Sequence, residues 1–492
     1  MAVVLGIDAG TTGVRTFAIG EDGVPRRSTY REFPQHFPRP GWVEHDAEEI
    51  WAATLTTLGE TARATEAAGE SVAAIGITNQ RETTVVWSRA TGRPLHRAIV
   101  WQDRRTAPRC DELREQGLEP LVRERTGLVL DPYFSGTKLA WLLTEGGVPT
   151  TPDLAFGTID TWLLWKLTGG REHATEPSNA SRTLCFDIGP LQWSEELCGL
   201  LGIPMGALPE VRPSSGRFGI TDPDAAAGLS VPVSGIAGDQ QAALFGQACF
   251  EPGMAKNTYG TGSFVLVNLG STLPAPAPGL LTSVAWQIGD SLTYAMEGSI
   301  FVTGAAIQWL RDELGIIRQA SEVGPLAESV PDAGGVVFVP AFTGLGSPEW
   351  DPYARGTILG LTRGSGRAQL ARAAVEAMAY QTYDVVDAVR AATGTPLAEL
   401  RVDGGASAMD LLCQLQADLL DVPVRRPAVA ETTVVGAAYL AGIAEGVWSS
   451  PAEAAASWRE AAAFTPAMER AEVDARVTQW RRAVERARGW AD

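Results

Sequence analysis

Apolar residues at 3–7 and 14–19 flank a short polar stretch, Asp8-Ala9-Gly10-Thr11-Thr12-Gly13. Two apolar runs around a Gly/Thr turn predict a pair of strands joined as a hairpin. The pattern returns where Thr258-Tyr259-Gly260-Thr261-Gly262-Ser263 precedes the apolar run 264–267. Strand-like runs at 72–78, 83–87, 155–159 and 233–236 alternate with helical periodicity at 50–68 and 138–143, and a helix is expected to open over 242–245. The second half repeats the scheme, with a helix over 304–314, a strand at 336–339, a helix over 369–391, a strand at 400–402 and a further helix after Gly404-Gly405. Such alternation predicts an α/β architecture.

Near the end, Ser450-Pro451-Ala452-Glu453 supplies an N-cap, a proline in the first turn and a glutamate at the capping-box position. Val473, Val477, Trp480 and Val484 then recur at helical spacing. They predict one apolar face, for packing onto the core or onto a sister subunit.

At 492 residues the chain is too long for a single core. Two domains are predicted, 1–250 and 251–492, with the joint around Glu251-Pro252-Gly253. A net charge of −18 argues against nucleic acid or an anionic membrane surface as partner. The first residues carry no basic lead, so no signal peptide is expected. The apolar stretch 434–444 is too short to cross a bilayer. Cys110, Cys185, Cys198, Cys249 and Cys413 are scattered, as are the histidines, and neither set has metal-site spacing. The chain is expected to be cytoplasmic with reduced thiols.

Lysine occurs only as Lys138, Lys166 and Lys256, none preceded by glycine, so the P-loop is absent. Any nucleotide must be held by backbone amides, hydroxyls, arginine and a divalent metal. A Gly-Thr tip suits this, because it lets an anion approach the backbone closely with hydroxyls as extra donors. Two such tips in two halves of one chain suggest a phosphate chain gripped from both sides, as in a kinase.

Arg81-Glu82 follows a strand, where α/β sheets place ligand sites, and the pair either brackets vicinal hydroxyls or forms a plain ion pair. Trp101 and Tyr133 are either lid packing or a wall for a polyol. Asp239 ends an apolar strand and serves either as a helix cap or as a base beside an attacking hydroxyl. Asp403-Gly404-Gly405 is either another turn or a bed for a nucleotide's ribose and base.

Together these strings resemble the FGGY carbohydrate kinases. The resemblance runs from the Asp8 turn to about Trp448, and 40–46, 75–82, 131–138, 235–245, 256–262 and 340–355 carry it. It implies two actin-like (ribonuclease H-like) domains with a catalytic cleft between them, and transfer of the γ-phosphoryl of MgATP to the 3-hydroxyl of glycerol. By matching position, Arg81, Glu82, Tyr133 and Asp239 would hold glycerol, with Gln240 alongside and Trp101 and Phe264 on its carbon skeleton. Asp239 would be the general base. Thr11, Thr12, Gly13 and Arg15 would form the first phosphate loop and Thr261 the second. Gly304, Gln308 and Gly405 would line the nucleotide pocket, and Asp8 would sit near Mg²⁺. A homodimer or homotetramer is implied as well.

Three departures stand out from that pattern. Ala9 and Gly13 replace Gln and Ser in the first loop, and Met409 replaces an Asn that contacts adenine. The Gly/Arg-rich loop that binds fructose 1,6-bisphosphate in some relatives is missing at 223–229, and no histidine follows His173. The alternatives are an FGGY kinase of a ketopentose or gluconate, or an actin- or chaperone-like ATPase.

Overall fold

The computed structural model describes residues 2–491. Among them one continuous sheet of thirteen strands carries the same order of strands twice. In the first half, Ala2–Ala9, Gly13–Gly20 and Pro25–Glu32 form an antiparallel meander. Ser71–Asn79 then pairs parallel to Ala2–Ala9, and Pro232–Gly238 parallel to Ser71–Asn79. In the second half, Met254–Tyr259, Ser263–Gly270 and Ser291–Ile300 form the meander. Glu399–Asp403 and Val424–Pro427 follow in parallel on its other side. The halves join where Ser215 of strand Ser215–Ile220 pairs with Ile288 of strand Leu281–Ile288. Both predicted hairpins are present, and the repeated order is the actin-like topology that the resemblance implies.

Each half has its own core, and a third apolar layer lies between them, where Phe17 and Ala74 of the first half meet Leu266, Trp286 and Leu440 of the second. This layer is built around two helices. Asp239–Gly246 follows the last parallel strand of the first half, and Thr432–Ala444 follows that of the second. They cross backbone to backbone at glycines. A Cβ on Gly246 would lie 1.9 Å from the Thr432 carbonyl, and one on Gly436 would lie 1.9 Å from the Ala242 carbonyl. Thr432–Ala444 also rests on a glycine row of the first sheet: Gly6, Gly76 and Gly235 are register partners across three neighbouring strands. A Cβ at each would meet Val434, the Ala437 carbonyl and the Ala441 amide at 2.5, 2.2 and 2.3 Å. Only glycine allows this approach.

Local expectations differ from the structure in three places. The strand expected at 155–159 ends at Gly157, and Ile159 opens the helix Ile159–Leu167. That helix is buried almost all round, so periodicity does not separate it from a buried strand. The strand at 83–87 begins only at Val85, because Glu82 adopts a φ of +60° and turns the chain. At 450, Ser450 Oγ accepts the Glu453 amide at 3.2 Å, but the Glu453 carboxylate reaches the Ser449 amide instead of the cap's own. The face of Val473, Val477, Trp480 and Val484 packs into the second core through helix Arg470–Ala487. No helix among the described residues is long and apolar enough to cross a membrane.

Candidate active site

The first tip is a tight turn closed by the Gly10 amide on the Gly13 carbonyl at 3.0 Å. Its surroundings hold it from three sides. Gln80 Nε2 donates to the Gly10 carbonyl at 3.0 Å, Gln35 Nε2 to the Thr11 carbonyl at 2.9 Å, and Trp101 Nε1 to Thr11 Oγ1 at 3.0 Å. Thr12 is left exposed. A Cβ on Gly13 would lie 2.6 Å from the Arg31 carbonyl and from the Tyr30 ring, so this chain has no room for the usual serine. Arg15, the register partner of Asp8, lies over the Tyr30 ring at 5.0 Å and pairs with Glu431 at 3.3 Å.

The second tip is closed by the Gly260 amide on the Gly262 carbonyl at 2.8 Å. It is joined to the start of helix Gly304–Asp312: the Gly304 amide donates to the Gly260 carbonyl, and the Thr303 and Ala305 amides to that of Thr261. Gln308 stands exposed one turn along that helix. Asp403 pairs with Thr258, so Gly404-Gly405 lies beside the tip, and a Cβ on Gly404 would meet the Tyr259 carbonyl at 2.3 Å. Met409 takes the N-cap position of helix Asp410–Leu420 without capping it, and packs against Gly324.

Asp239 stands between the feet of both hairpins. It is the first residue of its helix, with Gly238 at the cap position, so the cap reading of Asp239 does not hold. The side chain is 31% exposed, with Oδ1 at 3.1 Å from Arg81 Nε and at 2.7 Å from the Gln240 amide that donates to it. Burial raises its pKa against the pull of Arg81 and Lys256. Asp8, under the first tip, is pushed up to about 7 by burial and then by the Asp239 carboxylate. Lys256, on the strand leading to the second tip, donates to Gln240 Oε1 and, at 3.0 Å, to Thr258 Oγ1. Burial draws this ammonium down to about 8, although Asp403 and Asp239 attract it.

Beside Asp239 is a cradle of charge and aromatic rings. Arg81 and Glu82 are both buried, with Arg81 Nε 3.7 Å from Glu82 Oε1. Arg81 Nη2 donates to Tyr133 Oη at 3.3 Å, and the Tyr133 ring meets Trp101 edge-on at 5.6 Å. The Phe264 ring lies 5.9 Å from the Arg81 guanidinium. Trp101 thereby touches both the cradle and the first tip.

Sequence reasoning missed the groups that hold the cradle, above all Glu297 and Arg182, and did not give Lys256 or Glu431 a place in the site. Glu297 interrupts the apolar strand Ser291–Ile300, which was the one legible signal. Glu176 was missed too. It accepts bonds from Ser178, Asn179 and Ser214, and Ser178 Oγ in turn accepts the Gly238 amide at 2.9 Å, next to Asp239.

Among the described residues no group of three or more His, Cys, Asp or Glu could hold a metal ion alone. Mg²⁺ is commonly held by one or two carboxylates plus substrate phosphates and waters. Asp8, pressed against like charge at the foot of the first tip, fits a cation of that kind.

Both halves of the chain match models of the FGGY family of carbohydrate kinases, the N-terminal domain over residues 3–246 and the C-terminal domain over 255–445. The chain belongs to the FGGY family of carbohydrate kinases. It is 56% identical to a glycerol kinase of Trichlorobacter lovleyi, over the whole of both chains. It is also 56% identical to one of Symbiobacterium thermophilum, over 99% of each. The crystal structure of Plasmodium falciparum glycerol kinase with ADP superposes with a TM-score of 0.94 at 35% identity, covering 99% of this chain and 98% of that one.

Proposed function

We propose that this protein phosphorylates glycerol at its 3-hydroxyl, with ATP as donor, Mg²⁺ as cofactor and Asp239 as general base. The observation that carries this reading is the position of Asp239: a partly exposed carboxylate held by Arg81 between the polyol cradle and the feet of both Gly-Thr tips. Arg81, Glu82, Tyr133 and Gln240 pair the hydroxyls, and Trp101 and Phe264 cover the carbons. Three aromatic walls leave room for a short polyol and little more. Thr11, Thr12, Gly13, Arg15 and Thr261 hold the phosphate chain. Gly304, Gln308, Gly405 and Met409 border the nucleotide.

Phosphoryl transfer passes through a loose transition state, so orientation and charge neutralisation do most of the work. Asp239 therefore has only to align the alcohol and accept its proton late. Asp8 would hold the magnesium, which supplies neutralising charge to the phosphoryl oxygens. The tips and the cradle exclude water by closing on the substrates, which protects the phosphoryl group from hydrolysis. The five buried, unbridged cysteines support a reducing compartment, the cytoplasm.

The test is ATP consumption on a substrate panel. A site that pairs hydroxyls rejects analogues lacking one by about 10⁴–10⁵. Glycerol should give the highest kcat/KM, and turnover should cease when Mg²⁺ is chelated. Highest kcat/KM on xylulose or gluconate would move the assignment to a sister kinase. ATP turnover indifferent to every polyol would indicate an assembly ATPase.

A further inference from the structure

Arg81, Glu82, Arg182 and Glu297 form a closed ring of alternating charge. Glu297 takes the end of the Arg81 fork with both oxygens, Oε2 to Nη1 at 2.6 Å and Oε1 to Nη2 at 3.2 Å. Its Oε1 also accepts Arg182 Nη2 at 3.2 Å, and Arg182 Nε donates to Glu82 Oε1 at 2.6 Å. The Arg81–Glu82 approach closes the circuit. All four side chains are buried, and Glu297 is completely so. Arg182 is fixed further by the Tyr133 and Phe134 rings, each 5.1 Å from its guanidinium.

Three members come from the first half, while Glu297 comes from a strand of the second. A buried ion pair is weak evidence for stability, because desolvation offsets much of its attraction. Two cations and two anions cancel within the ring. What remains is orientation: with its fork end occupied, Arg81 turns Nε toward Asp239 and shares Nη2 with Tyr133. Without Glu297 the fork end loses both of its carboxylate bonds and keeps only those to Gln241 and Tyr133, each at 3.3 Å.

We propose that Glu297 is a positioning residue for polyol binding, reaching across the boundary between the halves to hold Arg81 in its substrate-facing orientation, with Arg182 bracing it against Glu82. The proposal rests on the glycerol reading of the cradle. Burial works to raise the Glu297 carboxyl, but Arg182 and Arg81 hold it down to about 2, so it remains the anion this role requires across the working pH range.

The test is steady-state kinetics of wild type, Glu297→Gln and Glu297→Asp with glycerol and ATP varied separately, together with calorimetric titration of glycerol into nucleotide-free protein. Wild-type turnover on glycerol must be seen first, and its absence refutes the glycerol reading rather than the role of Glu297. In Glu297→Gln the KM for glycerol is expected to rise at least about tenfold, with a matching loss in the titration, while the KM for ATP stays within about twofold. Glu297→Asp, which restores the charge, should recover part of that loss. Parallel rises in both KM values, or none in either, would overturn the proposal. So would failure of both variants to fold, which would make the ring a stability element only.

Discussion

A carboxylate at the start of a helix is ordinary; Asp239 differs because it is partly open while the charged side chains beside it, Arg81, Glu82 and Glu297, are buried. In Asp239→Asn the shape and the hydrogen bond to the Gln240 amide persist, and only the basic charge is lost. Initial-rate measurements should show kcat falling about 10²–10⁴-fold with the glycerol KM within about tenfold of wild type. Near-normal kcat would leave Asp239 without a role as base. Glu176 offers a second test at this scale. Burial lifts it to about 7, despite bonds from Ser178, Ser214 and Asn179. A carboxyl whose native pKa is raised binds its proton more tightly when folded, so it stabilises below its ordinary 4.5 and that contribution is lost as pH rises through 7. Scanning calorimetry of Glu176→Gln should therefore show a fall in Tm between pH 5 and 8 that is smaller than in wild type by about 2–4 °C.

Among the elements, the two crossing helices set the geometry on which the site depends. Asp239–Gly246 carries the proposed base, and Thr432–Ala444 follows Glu431, which pairs with Arg15. Their closest approach leaves no space for a methyl group at Gly246 or Gly436. Gly436→Ala is expected to destabilise the fold by about 1–3 kcal/mol, the usual range for overpacking, and to lower kcat by displacing Asp239. Urea unfolding and an activity assay on the same preparation check this. Unchanged stability and activity would show that the helices separate freely. The hairpins, the helices over 50–68, 304–314 and 369–391 and the parallel strands at 72–78, 233–236 and 400–402 were legible in the sequence because their signals are local: apolar runs, Gly-Thr turns and helical spacing. The strand Val424–Pro427 and the helix Thr432–Ala444, short or apolar all round, were not. The glycine row was not, since Gly6, Gly76 and Gly235 are ordinary strand residues until register brings them side by side.

At the scale of the whole molecule, the same nonlocality hid half of the cradle. Arg81, Glu82 and Asp239 announce themselves at strand ends, but Glu297 lies 216 residues from Arg81 and Arg182 lies 100 from Glu82. Chain folding alone pairs them. The loop at 223–229 makes its own compact turn, with the Gly228 amide on the Pro223 carbonyl and Ala227 at a φ of +54°. It carries an aspartate and no Lys or Arg, so it lacks the donors that a sugar bisphosphate needs. Activity with fructose 1,6-bisphosphate added should stay within about twofold of the untreated rate, and a drop of about tenfold would reveal a regulatory site elsewhere.

In the proposed reaction two Gly-Thr tips serve one phosphate chain while Asp239 orients the acceptor. A crystal structure with glycerol and a non-hydrolysable ATP analogue with Mg²⁺ tests this most directly. Phosphate oxygens are expected on the amides of 11–13 and of 261–262 together, with an Asp239 oxygen within hydrogen-bond distance of the glycerol 3-hydroxyl. Phosphates bound at one tip only, or a glycerol hydroxyl out of reach of Asp239, would contradict it.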